Sequence, residues 1–441
     1  MHILYHTIME SNFFMNEYQS VIEYIEDIPR FTKKNSLEHT RMFLEKLNID
    51  TKAMKIIHVA GTNGKGSVCA MLSRMLVDAG KETGLFVSPH LILHTERIRL
   101  NNIPVAKEDF CEAFCQVKKV VEEMQQEGFA HPSYFEFLFL MAMYEFQKQK
   151  MEYVILETGL GGRLDATNAV EHPILTVITS IGLDHMEYLG DTIAQIASEK
   201  AGIIKDNVPV VYWAGDDEAA DVIGKQADKK NAKQIILKET NYKIMKKTDK
   251  SVDFSVQSEY YLNDTFSVPF PAEYQVQNAL LALHAIAELH MSGKDMNCIK
   301  ESLKHVKWEG RMEEVLPGVI LDGAHNGPGI DAFIQTFCEW KCRGKKKILF
   351  SVVRDKDYDY MVSRIAKTDV SKIYITQIDS DRGLETNQME QDFRQNQCKA
   401  EIVVLPDIEQ AFLTALKEKQ EDDVLFCVGS LYLVGAIKKI V

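Results

Sequence analysis

The stretch Ile56–Met71 reads IIHVAGTNGKGSVCAM: an apolar run, a glycine-rich turn and a helix-forming segment in direct succession. Continuous apolar residues from Ile56 to Ala60 suit a strand buried on both faces, as in a parallel sheet. In GTNGKGS the glycines allow close backbone approach to a ligand. Successive N–H groups and the following helix N-terminus favour phosphate there. Lys65 adds a point charge for the β and γ phosphates. The common phosphate loop has Ser or Thr directly after its lysine, where the hydroxyl meets Mg²⁺. Here Gly66 follows Lys65 and the hydroxyl comes one residue later, at Ser67. An ordinary glycine-rich turn is the plain alternative, but strand, loop, lysine and helix in this order favour a nucleotide.

Working outward, strand-like runs alternate with helical patterns. A helix is expected from about Ser67 to Ala79, closing at Gly80. Further strands are expected at Thr83–Ser88, Tyr153–Glu157, Ile174–Ser180 and Val208–Trp213. Polar segments between Gln234 and Pro269 read as an antiparallel flap or subsheet, followed by the helical stretch AEYQVQNALLALHAIAELH. A second alternating series begins near Val319, with VILD, KILFSVV, KIYIT, EIVVL and DVLFCVG as five strand candidates. Periodicity breaks at Lys304–Arg311, KHVKWEGR. The fold class is therefore α/β with two domains: a mostly parallel sheet carrying the phosphate loop over residues 1–305, and a smaller Rossmann-like domain over 306–441. Ligands of such folds sit at the carboxyl ends of parallel strands and between domains.

The 441 residues carry a formal net charge of −13, which disfavours broad electrostatic binding to nucleic acid or anionic lipid. Handling an anionic substrate then requires cations concentrated locally. Eight cysteines show no CxxC and no Cys/His cluster at zinc spacing; Cys111 with Cys115, and Cys338 with Cys342, read as helical faces. The opening MHILYHTIMESNFF lacks a basic start and a long apolar run, so no secretory signal is expected. No stretch approaches membrane-spanning length, and a reducing cytoplasm is the expected setting.

Other motifs each admit a plain reading. Glu157 closes a strand before TGLGGRLDATN, where a carboxylate holds Mg²⁺ or simply faces water. SIGLDH brings Asp184 and His185 to the same edge, and a neighbouring strand delivering Glu beside a phosphate loop favours metal. Ser133 and Glu136 have capping-box spacing. Lys200 sits at a helix end, where a lysine suits the dipole without further role. In LDGAHNGPG, Asp322 and His325 occupy a strand–helix turn that Asn326 caps. Together these residues describe an ATP-dependent, metal-assisted enzyme with a bipartite site.

In order along the chain, GTNGKGS, SPHLILHTERIRLNN, ETGLGGRLDATN, ITSIGLDHMEYLG, SEKAGIIK, WEGR and LDGAHN resemble the folylpolyglutamate synthase/dihydrofolate synthase family, the folate branch of the Mur ligases. In that family Gly follows the loop lysine, so GTNGKGS is an intact site of another lineage. The resemblance implies a central ATP-binding domain over 1–305 and a glutamate-ligase domain over 306–441. It implies that ATP phosphorylates a pterin carboxylate to an acyl phosphate, which the amine of L-glutamate attacks. Thr62, Asn63, Gly64, Lys65 and Gly66 are then ATP contacts assisted by Ser67, with Asn278, Arg311 and Asp322 contacting ATP from the far side. Ser88 and Glu157 are implied ligands of one Mg²⁺ and His185 of a second. Tyr134, Phe135 and Glu136, with Leu164, Asp165 and Ala166, are implied to hold the pterin.

Lys65, Lys200 and His325 form the implied catalytic set, Lys200 as a carbamate. Asp355 of VVRDKDY is implied to lie near the glutamate. The family's WPGR is WEGR here, which is expected to loosen the interdomain join. The expected partners are ATP, L-glutamate and a reduced folate or dihydropteroate, acting on a cytoplasmic monomer with no nucleic-acid or membrane partner. A cell-wall Mur-type peptide ligase and a nucleotide-dependent regulatory protein are the competing readings.

Overall fold

The computed structural model describes residues 17–29, 35–290 and 296–441; the reading of the N-terminal segment before residue 17 lies outside them. The run around Ile56 is strand β1 (Lys55–Ala60), near the middle of an eight-stranded sheet. Its alternate side chains enter two different cores, as the two-residue period of a strand requires. Ile57 and Val59 pack with Val68, Leu72 and Leu280, from the helices Lys65–Asp78 and Tyr274–Glu288. Ile56 packs with Phe110 and Phe137, from the helices Lys107–Gln126 and Tyr134–Lys148. Burial on both faces explains why the strand is apolar from Ile56 to Ala60 except at His58.

The strands beside β1 are β2 (Thr83–Phe86), β3 (Ile98–Leu100), β4 (Ile103–Pro104), β5 (Tyr153–Glu157), β6 (Leu175–Ile178), β7 (Val210–Trp213) and β8 (Gln234–Leu237). Their order is β4-β3-β2-β5-β1-β6-β7-β8, with only the β2–β3 and β3–β4 pairings antiparallel. The helix after β1 begins at Lys65, two residues before the expected start, because Gly64 takes the left-handed conformation at its N-cap (φ 89°).

Gln234–Leu237 does not join the antiparallel subsheet. It pairs with β7 in parallel and turns Ile235 and Leu237 into the core while Ile236 faces out. The subsheet is β9 (Tyr242–Lys247), β10 (Val252–Gln257) and β11 (Leu262–Val268), in the order β11-β10-β9.

The second sheet region starts with β12 (Glu313–Leu316), then β13 (Val319–Leu321), β14 (Lys346–Phe350), β15 (Lys372–Ile375), β16 (Glu401–Val404) and β17 (Val424–Val428). Its order is β12-β13-β17-β14-β15-β16, parallel except for β12 against β13. The five expected strands are present. The added β12 has no apolar run to announce it, being partly exposed along its length. Cys111 and Cys115 share the helix Lys107–Gln126, but Cys342 lies beyond the helix Gly327–Glu339 that holds Cys338, so that second pair is not one helical face. Among the described residues no helix is long and apolar enough to cross a membrane.

Candidate active site

The loop after β1 is stitched to the segment after β6. The Thr62 N–H donates to Ser180 O at 2.8 Å, the Thr62 hydroxyl to Gly182 O at 3.0 Å, and the Thr179 hydroxyl to Asn63 O at 2.6 Å. A Cβ on Gly64 would lie 2.2 Å from Asn278 Oδ1, and one on Gly66 2.9 Å from the Trp308 ring. Both glycines are thus demanded by side chains arriving from later in the chain. Lys65 Nζ curls back onto its own loop, donating to Gly61 O at 3.1 Å and Thr62 O at 3.2 Å. Ser67 is buried, and its hydroxyl accepts from Gln275 Nε2 at 3.3 Å. The shifted hydroxyl therefore faces a helix.

Glu157 ends β5, buried, with Oε2 accepting the Ser88 N–H at 3.2 Å. Burial pushes its pKa up to about 7, against the pull of Lys65, the Ser88 N–H, Arg311 and Arg97. Glu157 and His185 do not come from neighbouring strands, because β1 separates β5 from β6. They flank the phosphate strand instead, which puts a carboxylate on one side of the loop and an imidazole on the other. His185 holds a left-handed backbone (φ 51°). Desolvation, opposed by Asp184 and aided by Lys356, Lys65 and Lys200, lowers its pKa to about 4. The imidazole is therefore neutral and able to ligate at physiological pH.

Lys200 departs from the plain helix-end reading. It lies in the last turn of the helix Ile193–Ala201, yet it is buried and its Nζ donates to Gly61 O at 2.7 Å. Burial, and then Lys65, lower its pKa to about 7, against Asp184 and Asp165. A lysine there serves the underside of the phosphate loop more than the helix dipole.

Among the described residues no three His, Cys, Asp or Glu side chains cluster as a ready-made metal site. Glu157, a buried carboxylate with Ser88 beside it, nonetheless has the hard oxygen chemistry that Mg²⁺ prefers, and such ions routinely complete their shell with phosphate and water.

Across the cleft, Asp322 directly follows β13 and is buried. Its carboxylate accepts the Met312 N–H (2.9 Å), the Ala324 N–H (2.8 Å) and the Tyr274 hydroxyl (3.3 Å). Burial raises its pKa, and Arg311 and these donors oppose that. His325 Nδ1 lies 2.7 Å from Gly323 O, a pure acceptor, so Nδ1 carries the hydrogen and Nε2 keeps a lone pair. Burial and Lys356 lower its pKa to about 4. Asn326 caps the helix Gly327–Glu339 through the Gly329 N–H and also bonds Asn63 of the phosphate loop, Nδ2 to Oδ1 at 3.0 Å. That bond joins the two walls into one cleft.

The remaining expected residues divide. Glu136 is buried in a capping box, its Oε2 accepting the Ser133 N–H at 2.7 Å and Asn35 Nδ2 at 2.9 Å. Asp165 accepts the Gly159 and Leu160 N–H groups and the Thr167 N–H and hydroxyl, so it shapes the loop. Tyr134 lies beneath the Arg97 guanidinium, and Phe135 packs on Phe86. Leu164 is exposed and Ala166 buried. Asp355 is paired with Arg382. At the WEGR departure, Glu309 stands in the place of the family's proline and pairs with Lys438 at 3.1 Å. Sequence reasoning missed His58, fully buried in β1 with Nε2 2.8 Å from the Thr167 hydroxyl. A histidine inside an apolar strand was the available signal. It also missed Lys356, adjacent to Asp355, and passed over Asp184 in favour of its neighbour.

A profile of the Mur ligase middle domain matches residues 59–286, and one of the Mur ligase glutamate ligase domain matches residues 310–431. The dihydrofolate synthase/folylpolyglutamate synthase of Bacillus subtilis is 34% identical over 433 residues, 96% of this chain and 98% of its own. This chain belongs to the dihydrofolate synthase/folylpolyglutamate synthase family, a branch of the Mur ligases. Membership makes it an ATP-dependent ligase that adds glutamate, and sets aside the cell-wall and regulatory readings. Among solved structures, Escherichia coli FolC in complex with DHPP and ADP superposes with a TM-score of 0.81 at 27% identity, covering 96% of this chain and 97% of that one. Folylpolyglutamate synthase from Thermotoga maritima gives 0.82 at 30% identity, covering 96% of each chain.

Proposed function

We propose that this enzyme joins L-glutamate to the carboxylate of dihydropteroate, of a reduced folate, or of both, with ATP as co-substrate and an acyl phosphate as intermediate. The observation that carries the reading is the Asn63–Asn326 contact, which closes the phosphate loop, Glu157, His185 and Lys200 into one cleft with Arg311, Asp322 and His325. A carboxylate oxygen of the pterin substrate attacks the γ phosphorus and ADP departs. The amine of glutamate then attacks the activated carbonyl, loses a proton, and phosphate leaves with the original carboxylate oxygen.

In this reading Thr62, Asn63, Gly64, Lys65, Gly66 and Ser67 cradle the phosphates through backbone N–H groups and the Lys65 charge. Asn278, Arg311 and Asp322 hold the nucleotide from the opposite wall. Mg²⁺ at Ser88 and Glu157, with a second ion at His185, would offset phosphate charge on this acidic protein. The buried Lys200, deprotonating at about 7, offers the neutral amine that carbamylation requires. Closure of the cleft excludes water that would hydrolyse an acyl phosphate. Tyr134 and Phe135, with Leu164 and Ala166, line the pterin side, while Glu136 and Asp165 serve it by fixing the local backbone. His325, neutral with its Nε2 lone pair available, accepts a proton near the reacting centre.

We place the domain join between Lys304, which ends a helix, and Glu313, which begins β12. One chain supplies both walls of the cleft, which supports a working monomer. Eight unpaired cysteines support a reducing, cytoplasmic setting. The test is incubation with ATP, Mg²⁺ and L-glutamate plus either dihydropteroate or tetrahydrofolate, with products read by mass spectrometry. A glutamate-mass increase on at least one acceptor is expected; ATP hydrolysis with no amide product on either would overturn the reading.

A further inference from the structure

Two donors of the second domain converge on a single carboxylate of the first. Asn326 Nδ2 lies 2.7 Å from Asp184 Oδ2, and Lys356 Nζ lies 2.7 Å from Asp184 Oδ1. The ion pair is nearly closed off from water, with side-chain exposures of 8% for Lys356 and 10% for Asp184. The same Asn326 amide nitrogen also reaches Asn63 Oδ1 at 3.0 Å, and Asn63 Nδ2 returns a bond to Asn326 Oδ1 at 3.1 Å. Beside them, the Pro328 ring packs where a Cβ on Gly182 would stand, 2.7 Å away. Lys356 Nζ is 3.4 Å from His185 Nε2, and the His185 N–H donates to Asp184 Oδ1 at 2.9 Å.

We propose that Asp184 is a positioning residue that sets the second domain in register on the phosphate loop, with Lys356 and Asn326 as its two tethers. Its two oxygens are held by donors from two different segments, the turn before the helix Gly327–Glu339 and the loop after β14, so both the separation and the rotation of the domains are fixed. The Asn326 amide is satisfied in full only when Asp184 and Asn63 stand together, which couples domain docking to the conformation of the loop itself. Lys356 supplies the charge that makes the contact selective, since either partner left buried alone would bear an uncompensated desolvation cost. Opening the cleft returns both ions to water, so the tether acts on the closed state and not on the stability of either domain. Register matters because the amine and the acyl phosphate must meet at near-attack distance, where small displacements are costly. That last step rests on the ligase reading; the tether itself does not.

The experiment is a double-substitution cycle with Asp184→Asn, Lys356→Met and the pair, using the full-length enzyme. Hydrogen exchange is followed in the ligand-free protein over residues 182–189 and 326–330, alongside kcat and urea midpoints. Each single substitution is expected to raise exchange in both segments and to lower kcat by about tenfold or more. The double variant should be no worse than the poorer single, because losing either partner already releases the tether. Urea midpoints should stay unchanged. Asn326→Ser, which keeps a capping oxygen for the helix, should raise exchange in the same two segments. Multiplicative kcat losses, unchanged exchange, or a lowered urea midpoint that accounts for the kcat loss would overturn the proposal. If the wild-type enzyme forms no amide product, the ligase reading fails while the exchange measurements still decide the tether.

Discussion

Replacing Glu157 with glutamine should make the fold more stable and the enzyme almost inactive. The buried carboxyl ionises at about 7 in the fold against 4.5 for a free glutamate, with burial as the main cause. The fold therefore binds this proton more tightly than the unfolded chain does. Its contribution to stability falls as pH rises from about 4.5 to about 7, and the full penalty applies above that. The gap corresponds to about 3 kcal/mol. Glutamine keeps an acceptor for the Ser88 N–H but brings an amide donor that needs a partner, a cost of about 1 kcal/mol. The net expectation is a gain of about 2 kcal/mol at pH 8 and a loss of about 1 kcal/mol at pH 4.5. Urea unfolding in EDTA at both pH values reads this directly. ATP-dependent ligation with Mg²⁺ should meanwhile fall on the order of a thousandfold if Glu157 holds the ion. Equal stability changes at both pH values, or a loss at pH 8, would show that burial of this carboxylate carries no such cost.

Gly64→Ala meets left-handed strain of roughly 1–2 kcal/mol together with a clash against Asn278, so both stability and ATP affinity should drop. Adding Asn278→Ala should restore only the part due to the clash, which urea titration and nucleotide-binding calorimetry separate. Lys200→Met should abolish most ligation while changing the pH profile of unfolding. The wild-type lysine binds its proton more weakly in the fold, so it makes stability rise between about 7 and 10.5, and the variant should lack that rise. Retained activity in Lys200→Met would return this residue to a plain structural role. His58→Leu removes a desolvated imidazole without stranding the Thr167 hydroxyl, which still donates to Asp165. Stability should change by less than about 1 kcal/mol. KM for the pterin should rise more than KM for ATP; an equal rise in both would argue against a link from β1 to the GLGG loop.

The sequence was most legible where local chemistry and tertiary demand coincide. Ile56, Ile57, Val59 and Ala60 had to be apolar because both faces are covered, and the glycines at 64 and 66 had to be glycines because Asn278 and Trp308 press on them. Where the deciding contact comes from elsewhere in the chain, the pattern is silent. Gln234–Leu237 groups with the polar segments that follow it, although its Ile235 and Leu237 complete the main sheet. Nothing in SEKAGIIK distinguishes a lysine turned toward Gly61 from one turned toward water. Strand order hid the placement of β1 between Glu157 and His185. Asp184 and Lys356 stand 172 residues apart, so their pairing leaves no trace in any local window.

Activation of a carboxylate as an acyl phosphate leaves an isotopic trace in the phosphate released. The pterin acceptor is labelled with ¹⁸O in its carboxylate, and the inorganic phosphate released during ligation is examined by mass spectrometry. One labelled oxygen per phosphate, formed in step with the amide product, is the expected result. Phosphate without label would mean that water, and not the carboxylate, takes the phosphoryl group, and no acyl phosphate would then form.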